Sequence, residues 1–516
     1  MIKYKKINTA IICFLTLIIT VSLFAKAIEI ISFNDFHGRI NEDTSPKGKD
    51  VGIEKFATAI KNEIKACNGN AIVLTAGDNY QGSAITVLTK GAPISDMMKE
   101  IHVSASAVGN HEFDWGLGSF KKWEKDGGFP FLAANIIDKK TNKPVKWAKP
   151  YLIIKKDTAK VAFIGLATIE TPFATSKKNI ETLKFTDPVK AAQQWIDFLN
   201  CGKDEAGKPD VIIALTHIPS YQNKINGKIT GKEINDLCSK TKGLNAVISA
   251  HSHKTVCGYI DNIPVVQANS NGRALGILKI VLNDNNELKK ITPSILEIYK
   301  HKAELKKDKN TTKIYDKYLT QMKKLDKPIG KADGNFLKEE NSGNVTGIGA
   351  WVTKVMADQT DSQIAVINSG GLRTGLYSGN ITISDMYGLM PFDNSIVTMK
   401  LSGKDLKRVI NHCLDGTGDF YGLKVLYDSS AQKDNSIISM TLLNGKPIEM
   451  NKYYTVTTLD FSFNGGDKFD FSGAKDVKKI DESLRDLLIN EIKEKKTIHP
   501  VKTDYLINNA GQQKAA

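Results

Sequence analysis

The amino-acid sequence predicts an α/β protein built in two units, and three observations carry that prediction. The first is a set of five short apolar runs bounded by turn residues: Ile28–Phe33, Ala71–Ala76, Ala105–Val108, Val211–Thr216 and Ala246–Ala250. Continuous apolar runs of this length mark strands buried on both faces. The second is the amphipathic stretches between such runs. Gly52–Cys67 carries Ile53, Phe56, Ile60 and Ile64 at helical spacing, and Pro188–Leu199 carries Val189, Ala192, Trp195, Ile196 and Leu199. The third is a change of texture from about Ile298 to Lys327, a Lys-rich polar segment after which a new mixture of elements begins. Alternating strands and helices predict a layered sandwich with helices outside.

Taken in order, residues 1–27 read as a secretory signal. Lys3, Lys5 and Lys6 precede the apolar run Ile11–Phe24, and Ala25–Lys26–Ala27 supplies a small-x-small cleavage site. The mature chain is thus expected outside the cytoplasm, periplasmic or secreted, with no stable membrane insertion, because no later run is apolar enough to span a bilayer. Residues 28–305 form the first unit, in which Phe131–Asn135 and Lys160–Ala167 add further strands. Residues 306–327 form a linking helix, with Tyr315, Tyr318, Leu319, Met322 and Leu325 at three-to-four-residue intervals. Residues 328–508 form a second unit. Its expected helices are Val345–Ala357, Gly403–His412 and Asp481–Lys495; its expected strands are Ile364–Ile367, Ile396–Leu401, Ser436–Leu443 and Lys452–Thr458. Residues 509–516 are a frayed tail.

Composition narrows the function. The formal charge is +15, and only five of the 71 basic residues are arginine. A lysine surplus of this kind reads as a solvated surface, and no nucleic-acid recognition motif accompanies it, so specific nucleic-acid binding is not expected. Five cysteines follow the leader (Cys67, Cys201, Cys238, Cys257 and Cys413), too few for a disulfide scaffold. Nothing in the sequence assigns an oligomeric state.

The chemistry lies where the apolar runs stop. They are followed by Asp35 and His37, by Asp78, by Asn110 and His111, by His217, and by His251 and His253. In α/β sheets, ligands bind beyond the carboxyl ends of strands. Carboxylate, amide and imidazole ligands suit divalent zinc, manganese and similar ions. The pattern therefore predicts a two-metal site able to clamp the oxygens of an in-line displacement at phosphorus. Asp35 and His37, two apart on an extended backbone, would serve the first ion, with His253 reaching back to it. Asn110, His217 and His251 would serve the second, and Asp78 would bridge the pair. His111 is the candidate for transition-state work, with Asp114 three residues on to hold its ring and raise its pKa.

Asn34–Asp35–Phe36–His37–Gly38, Ala76–Gly77–Asp78–Asn79, Gly109–Asn110–His111–Glu112–Phe113–Asp114 and His251–Ser252–His253 resemble the motifs of the calcineurin-like metallophosphoesterases. The resemblance is closer to the exported 5′-nucleotidase family, which joins that domain to a characteristic C-terminal one. It implies a four-layered sandwich joined by a linking helix to an α+β C-terminal domain, with two divalent ions (Zn, Mn, Mg or Co) as cofactors. It implies the ligands Asp35, His37, Asp78, Asn110, His217 and His251; the position of His253 is often Gln or Asn among the nucleotidases. In the second unit it assigns Asn368 and Arg373 to substrate contact, Phe392 and Phe461 to base stacking, and Asp467 to ribose. Lys338 stands where the family usually has arginine, a point charge in place of a fork. Asp393 stands where glycine is usual, a carboxylate expected to repel polyphosphates.

The activity expected is hydrolysis of nucleoside 5′-monophosphates to nucleoside and phosphate by in-line attack of metal-bound hydroxide, gated by rotation of one domain against the other. Two alternatives stand beside it. One is a 2′,3′-cyclic-nucleotide phosphodiesterase or nucleotide-sugar hydrolase on the same scaffold. The other is a secreted nucleotide-binding or adhesive protein with vestigial activity.

Overall fold

A computed structural model describes residues 26–44, 48–338, 345–431 and 436–510. Most of the expected leader, most of the expected tail, and Gly343–Asn344 lie outside the described residues. All five apolar runs are strands, divided between two facing six-stranded sheets. In the first sheet the order is Leu288–Leu296, Leu275–Leu282, Lys26–Phe33, Ala71–Thr75, Val103–Ala107, Phe131–Leu132. The last four of these run parallel, and the first two are antiparallel additions. In the second sheet the order is Thr255–Ile260, Ile263–Ala268, Ala246–Ala250, Val211–Pro219, Ala159–Ala167, Tyr151–Lys156. Its four central strands are parallel and its two edges antiparallel.

Side chains alternate along each strand, and both faces are apolar. Ile28, Ile30, Ile72 and Leu74 meet Val161, Phe163, Val211 and Ile213 between the sheets. Ile31, Phe33 and Val73 face the other way, onto the helices Gly52–Ala66, Ala92–Glu100 and Gly118–Gly127. Ala162, Ile164 and Ala214 face the helices Pro188–Asn200 and Lys232–Lys240. Helix, sheet, sheet and helix make four layers.

Residues after 327 build a five-stranded sheet in the order Gly418–Tyr421, Ile364–Asn368, Tyr453–Leu459, Ser395–Ser402, Lys475–Ser483. Helices Gly347–Gln359, Gly403–His412 and Leu484–Lys495 and two small three-stranded sheets accompany it. Lys475–Ser483 departs from expectation, because Asp481–Ser483 belong to this strand and not to the following helix. Its sequence KDVKKIDES has neither alternation nor an apolar face; it pairs antiparallel with Ser395–Ser402 as an exposed edge strand, where lysines are usual.

The helix Lys309–Leu325 packs on the first sandwich. Tyr318 and Met322 enter the core of that sandwich, and Asp308, which caps the helix, accepts from Lys61 Nζ at 2.8 Å. No helix among the described residues is long and apolar enough to cross a membrane. Cys67, Cys201, Cys238, Cys257 and Cys413 are all free thiols.

Candidate active site

The strand ends place six side chains in two clusters. Asp35, His37 and His253 offer ligand atoms within 4.8 Å of one another, and so do Asp78, His217 and His251. The backbone at these positions differs from the extended form expected for Asp35 and His37. Asp35 (φ 49°), His37 (49°), Asp78 (56°), His251 (71°) and His253 (57°) are all left-handed. Such conformations cost non-glycine residues energy and persist where surroundings over-determine them. Here the surroundings are main-chain bonds between the first two strand ends: Asp35 N donates to Gly77 O, His37 N to Asp78 O, and Gly38 N to Asn79 O, at 2.9–3.1 Å. Gly77 admits this approach, since a Cβ there would meet Gly109 N at 2.6 Å and His217 Nδ1 at 3.0 Å.

The donor set fits divalent cations. His217 Nδ1 bonds the Ala76 carbonyl at 2.8 Å and His37 Nδ1 the Gln81 carbonyl at 3.2 Å, which turns both Nε2 atoms inward in the manner of metal-ligating histidines. His217 Nε2 lies 3.2 Å from Asp78 Oδ2 and 3.2 Å from His251 Nδ1. His253 Nε2 lies 3.2 Å from Asp35 Oδ1 and 3.0 Å from His37 Nε2. Edges of 3.0–3.8 Å between ligand atoms bracket the roughly 3.3–3.6 Å that tetrahedral bonds of roughly 2.0–2.2 Å produce. Asn110 donates through Nδ2 to Ala174 O, leaving its Oδ1 buried without a donor; a metal would satisfy it.

Electrostatics point the same way. Burial opposes charge on Asp35 and Asp78, yet the surrounding imidazoles hold both carboxyls well below the usual range. Burial also works against His217, but Asp78 draws it up to about 10. His251, crowded by burial and by His217, falls to about 4, and His37 is pushed down by burial, His253 and Arg373. The carboxylates call for positive charge that the neighbouring rings cannot all supply together.

His111 borders this centre. Its Nδ1 lies 2.9 Å from Asp114 Oδ2, and its backbone N–H donates to Asp78 Oδ1 at 2.8 Å. Burial lowers its pKa, but Asp114 and Asp78 outweigh that and raise it. Sequence reasoning missed Glu112, the next residue. It is fully buried and accepts the N–H groups of Asp78, Asn79 and Gly109 at 2.7–2.8 Å. Burial and Asp78 push its carboxyl up to about 7. The available signal was a carboxylate directly after Asn110 and His111 and before the apolar Phe113, inside the motif itself.

The second half closes over the first. Arg373 Nη2 comes within 3.5 Å of His37 Nε2, and Phe392 stacks on His111 at 5.5 Å between centroids. Asn368 ends the strand Ile364–Asn368 and donates to Asp467 Oδ2 at 2.8 Å. Phe461 begins the turn after the neighbouring strand Tyr453–Leu459 and packs so tightly on Gly466 that a Cβ there would meet its ring at 2.5 Å. These residues and His111, Asp114, Asp78, Asn110, His251 and His253 line one cleft of about 550 Å³. Lys338 stands apart from that lining; its charge acts on Asp419, the carboxylate that accepts from Thr346 N and Ser369 Oγ. Asp393 does line the cleft, but it is ion-paired with the buried Arg485, which offsets the repulsion expected of it. The loop Thr175–Asn179 was also missed: Thr175 Oγ1 and Asn179 Nδ2 hold Asp114 from behind.

Comparisons with known proteins agree with this geometry. Residues 28–255 match the family described as calcineurin-like phosphoesterase, and residues 328–473 match the 5′-nucleotidase C-terminal domain. The chain is 27% identical over 464 residues to endonuclease YhcR of Bacillus subtilis, a match covering 84% of this chain but only 37% of that protein. It is 27% identical over 517 residues to human 5′-nucleotidase, covering 86% of this chain and 84% of the human protein. The crystal structure of a 5′-nucleotidase precursor from Thermus thermophilus superposes with a TM-score of 0.80 at 22% identity, over 94% of this chain and all of that one. Two matched domains in the same order, around two candidate metal-binding triads, make this chain a metal-dependent phosphoester hydrolase that belongs to the 5′-nucleotidase family.

Proposed function

We propose that the protein hydrolyses nucleoside 5′-monophosphates to nucleoside and phosphate. One observation carries the reading: Phe392, Phe461, Asn368, Arg373 and Asp467 face the two triads across a single cleft. Flat rings suit a base, with each stacking face contributing ~1–3 kcal/mol, and a carboxylate such as Asp467 suits ribose hydroxyls. Asp35, His37 and His253 would hold one divalent ion and Asp78, His217, His251 and Asn110 the other. When bound, Zn, Mn, Mg or Co ions supply Lewis acidity and a nucleophilic water at neutral pH. Arg373 neutralises phosphoryl charge by its planar fork. His111, its ring held by Asp114, stabilises a phosphoryl oxygen or protonates the departing alkoxide. The basic, apolar, small-residue pattern of residues 1–27 supports export, with Ile28 as the mature N-terminus.

The test is a set of initial hydrolysis rates, read as phosphate released from AMP and UMP and as chromatographic loss of substrate for UDP-glucose, 2′,3′-cAMP and long DNA. Fastest release from the monophosphates supports the reading. Preference for the cyclic nucleotide or the nucleotide sugar moves the assignment to those diesters, and no turnover of any of them sinks it.

A further inference from the structure

The turn carrying His251 and His253 is strained, and its support lies behind it. Left-handed backbone at two residues other than glycine is unfavourable, so the turn needs something to hold it. The strand Ile263–Ala268 passes beneath, and its Gln267 is fully buried. The Gln267 amide nitrogen donates to Ser252 Oγ at 2.5 Å and to the Lys254 carbonyl at 2.8 Å, one residue to either side of His253. Its amide oxygen faces the hydroxyls of Ser220 and Ser249, each at 3.4 Å. Ser252 Oγ in turn donates to the Ser220 carbonyl at 2.6 Å, three residues beyond His217. This network joins the segments carrying His217, His251 and His253, yet none of these bonds involves an imidazole ring. A primary amide is costly to bury unless its donors and acceptor are satisfied, and here all are used.

We propose that Gln267 is a positioning residue for both metal triads at once. By pinning Ser252 and Lys254 it fixes the spacing of His251, which belongs with Asp78, and His253, which belongs with Asp35. The two ions therefore gain or lose their sites together. This inference rests on reading the triads as metal ligands, and the test separates the two claims. Manganese(II) alone is titrated into metal-free protein, and the unbound ion is followed by electron paramagnetic resonance. Wild type binds two equivalents per chain; fewer than two overturns the triad reading itself, before Gln267 enters. Gln267→Met, similar in volume but without a donor, is expected to weaken both equivalents together by roughly 10- to 100-fold, the range for groups that orient ligands. Ser252→Ala, a milder change, is expected to weaken both to a lesser degree, and to add nothing further when combined with Gln267→Met. Leu199→Ala, a cavity in the outer core, matches the loss of Tm and is expected to leave both affinities at the wild-type value. Wild-type affinity in Gln267→Met and Ser252→Ala, weakening of one equivalent alone, or equal weakening in Leu199→Ala each overturns the proposal.

Discussion

At the scale of single residues, the site separates side chains that hold from side chains that act. His111 hydrogen-bonds Asp78 through its backbone N–H, while its ring lines the cleft with Nε2 4.0 Å from Asp78 Oδ2. His111→Ala is therefore expected to lower kcat by roughly 10²- to 10⁴-fold while bound-metal stoichiometry, read by elemental analysis, stays unchanged. Loss of metal in that variant would place His111 among the ligands. Phe461 lines the cleft and, on the proposed reading, stacks on the base. Phe461→Ala is expected to raise KM for AMP by about 5- to 150-fold, the equivalent of ~1–3 kcal/mol of stacking. Equal kinetics for the variant would remove Phe461 from the base site. The sequence disclosed the identities of these residues but not their backbone. Asp35 and His37 do share a cluster, but through left-handed turns and not along an extended strand. Nothing in a DxH spacing encodes that, because it arises from the neighbouring loop after Ala71–Thr75. Glu112 was hidden for a related reason: two of its three partners are the backbone N–H groups of Asp78 and Asn79, far earlier in the chain.

At the scale of elements, the runs that stop at ligands were legible because burial on both faces leaves a continuous apolar signature. The edge strand Lys475–Ser483 was not, because its pairing with Ser395–Ser402 is decided by tertiary contact, against its local composition. The linking helix was legible from periodicity, but its docking was not. Asp308 caps that helix, accepts from Thr311 N at 2.9 Å and pairs with Lys61. Partial burial raises its pKa, but the bonds from Lys61 and Thr311 outweigh that and depress it. A depressed carboxyl stabilises the fold above its unfolded value of about 3.9 and loses that contribution as pH falls through the folded value. Asp308→Asn keeps an acceptor for the cap and removes the charge. It is expected to cost about 1 kcal/mol at pH 7, with the gap to wild type narrowing as pH drops below about 4. Urea midpoints at the two pH values measure it; a gap independent of pH would mean that the charge plays no part.

At the scale of the whole molecule, one half carries the triads and the other carries the rings that face them. The two meet at Arg373 with His37, at Phe392 with His111, and at Lys468 with Glu170 at 2.7 Å. Because Lys309–Leu325 is packed into the first sandwich, a rigid-body opening of the second half would turn after Leu325. If release requires such an opening, a short bismaleimide joining Glu170→Cys and Lys468→Cys, in a Cys201→Ser background, should abolish steady-state turnover while preserving a single round in preloaded enzyme. Unchanged turnover in the crosslinked form would remove domain rotation from the mechanism. The presence of two distinct units was readable from motifs in each; their juxtaposition was not, because no local pattern records how two cores dock. The central claim is that catalysis belongs to a pair of cations held by Asp35, Asp78 and the imidazoles around them. Phosphate release from AMP against manganese equivalents added to chelated enzyme tests it most directly. Activity absent at zero equivalents, restored in full at two, and lost in Asp78→Ala is the expected result; turnover that persists in enzyme shown to be metal-free would contradict it.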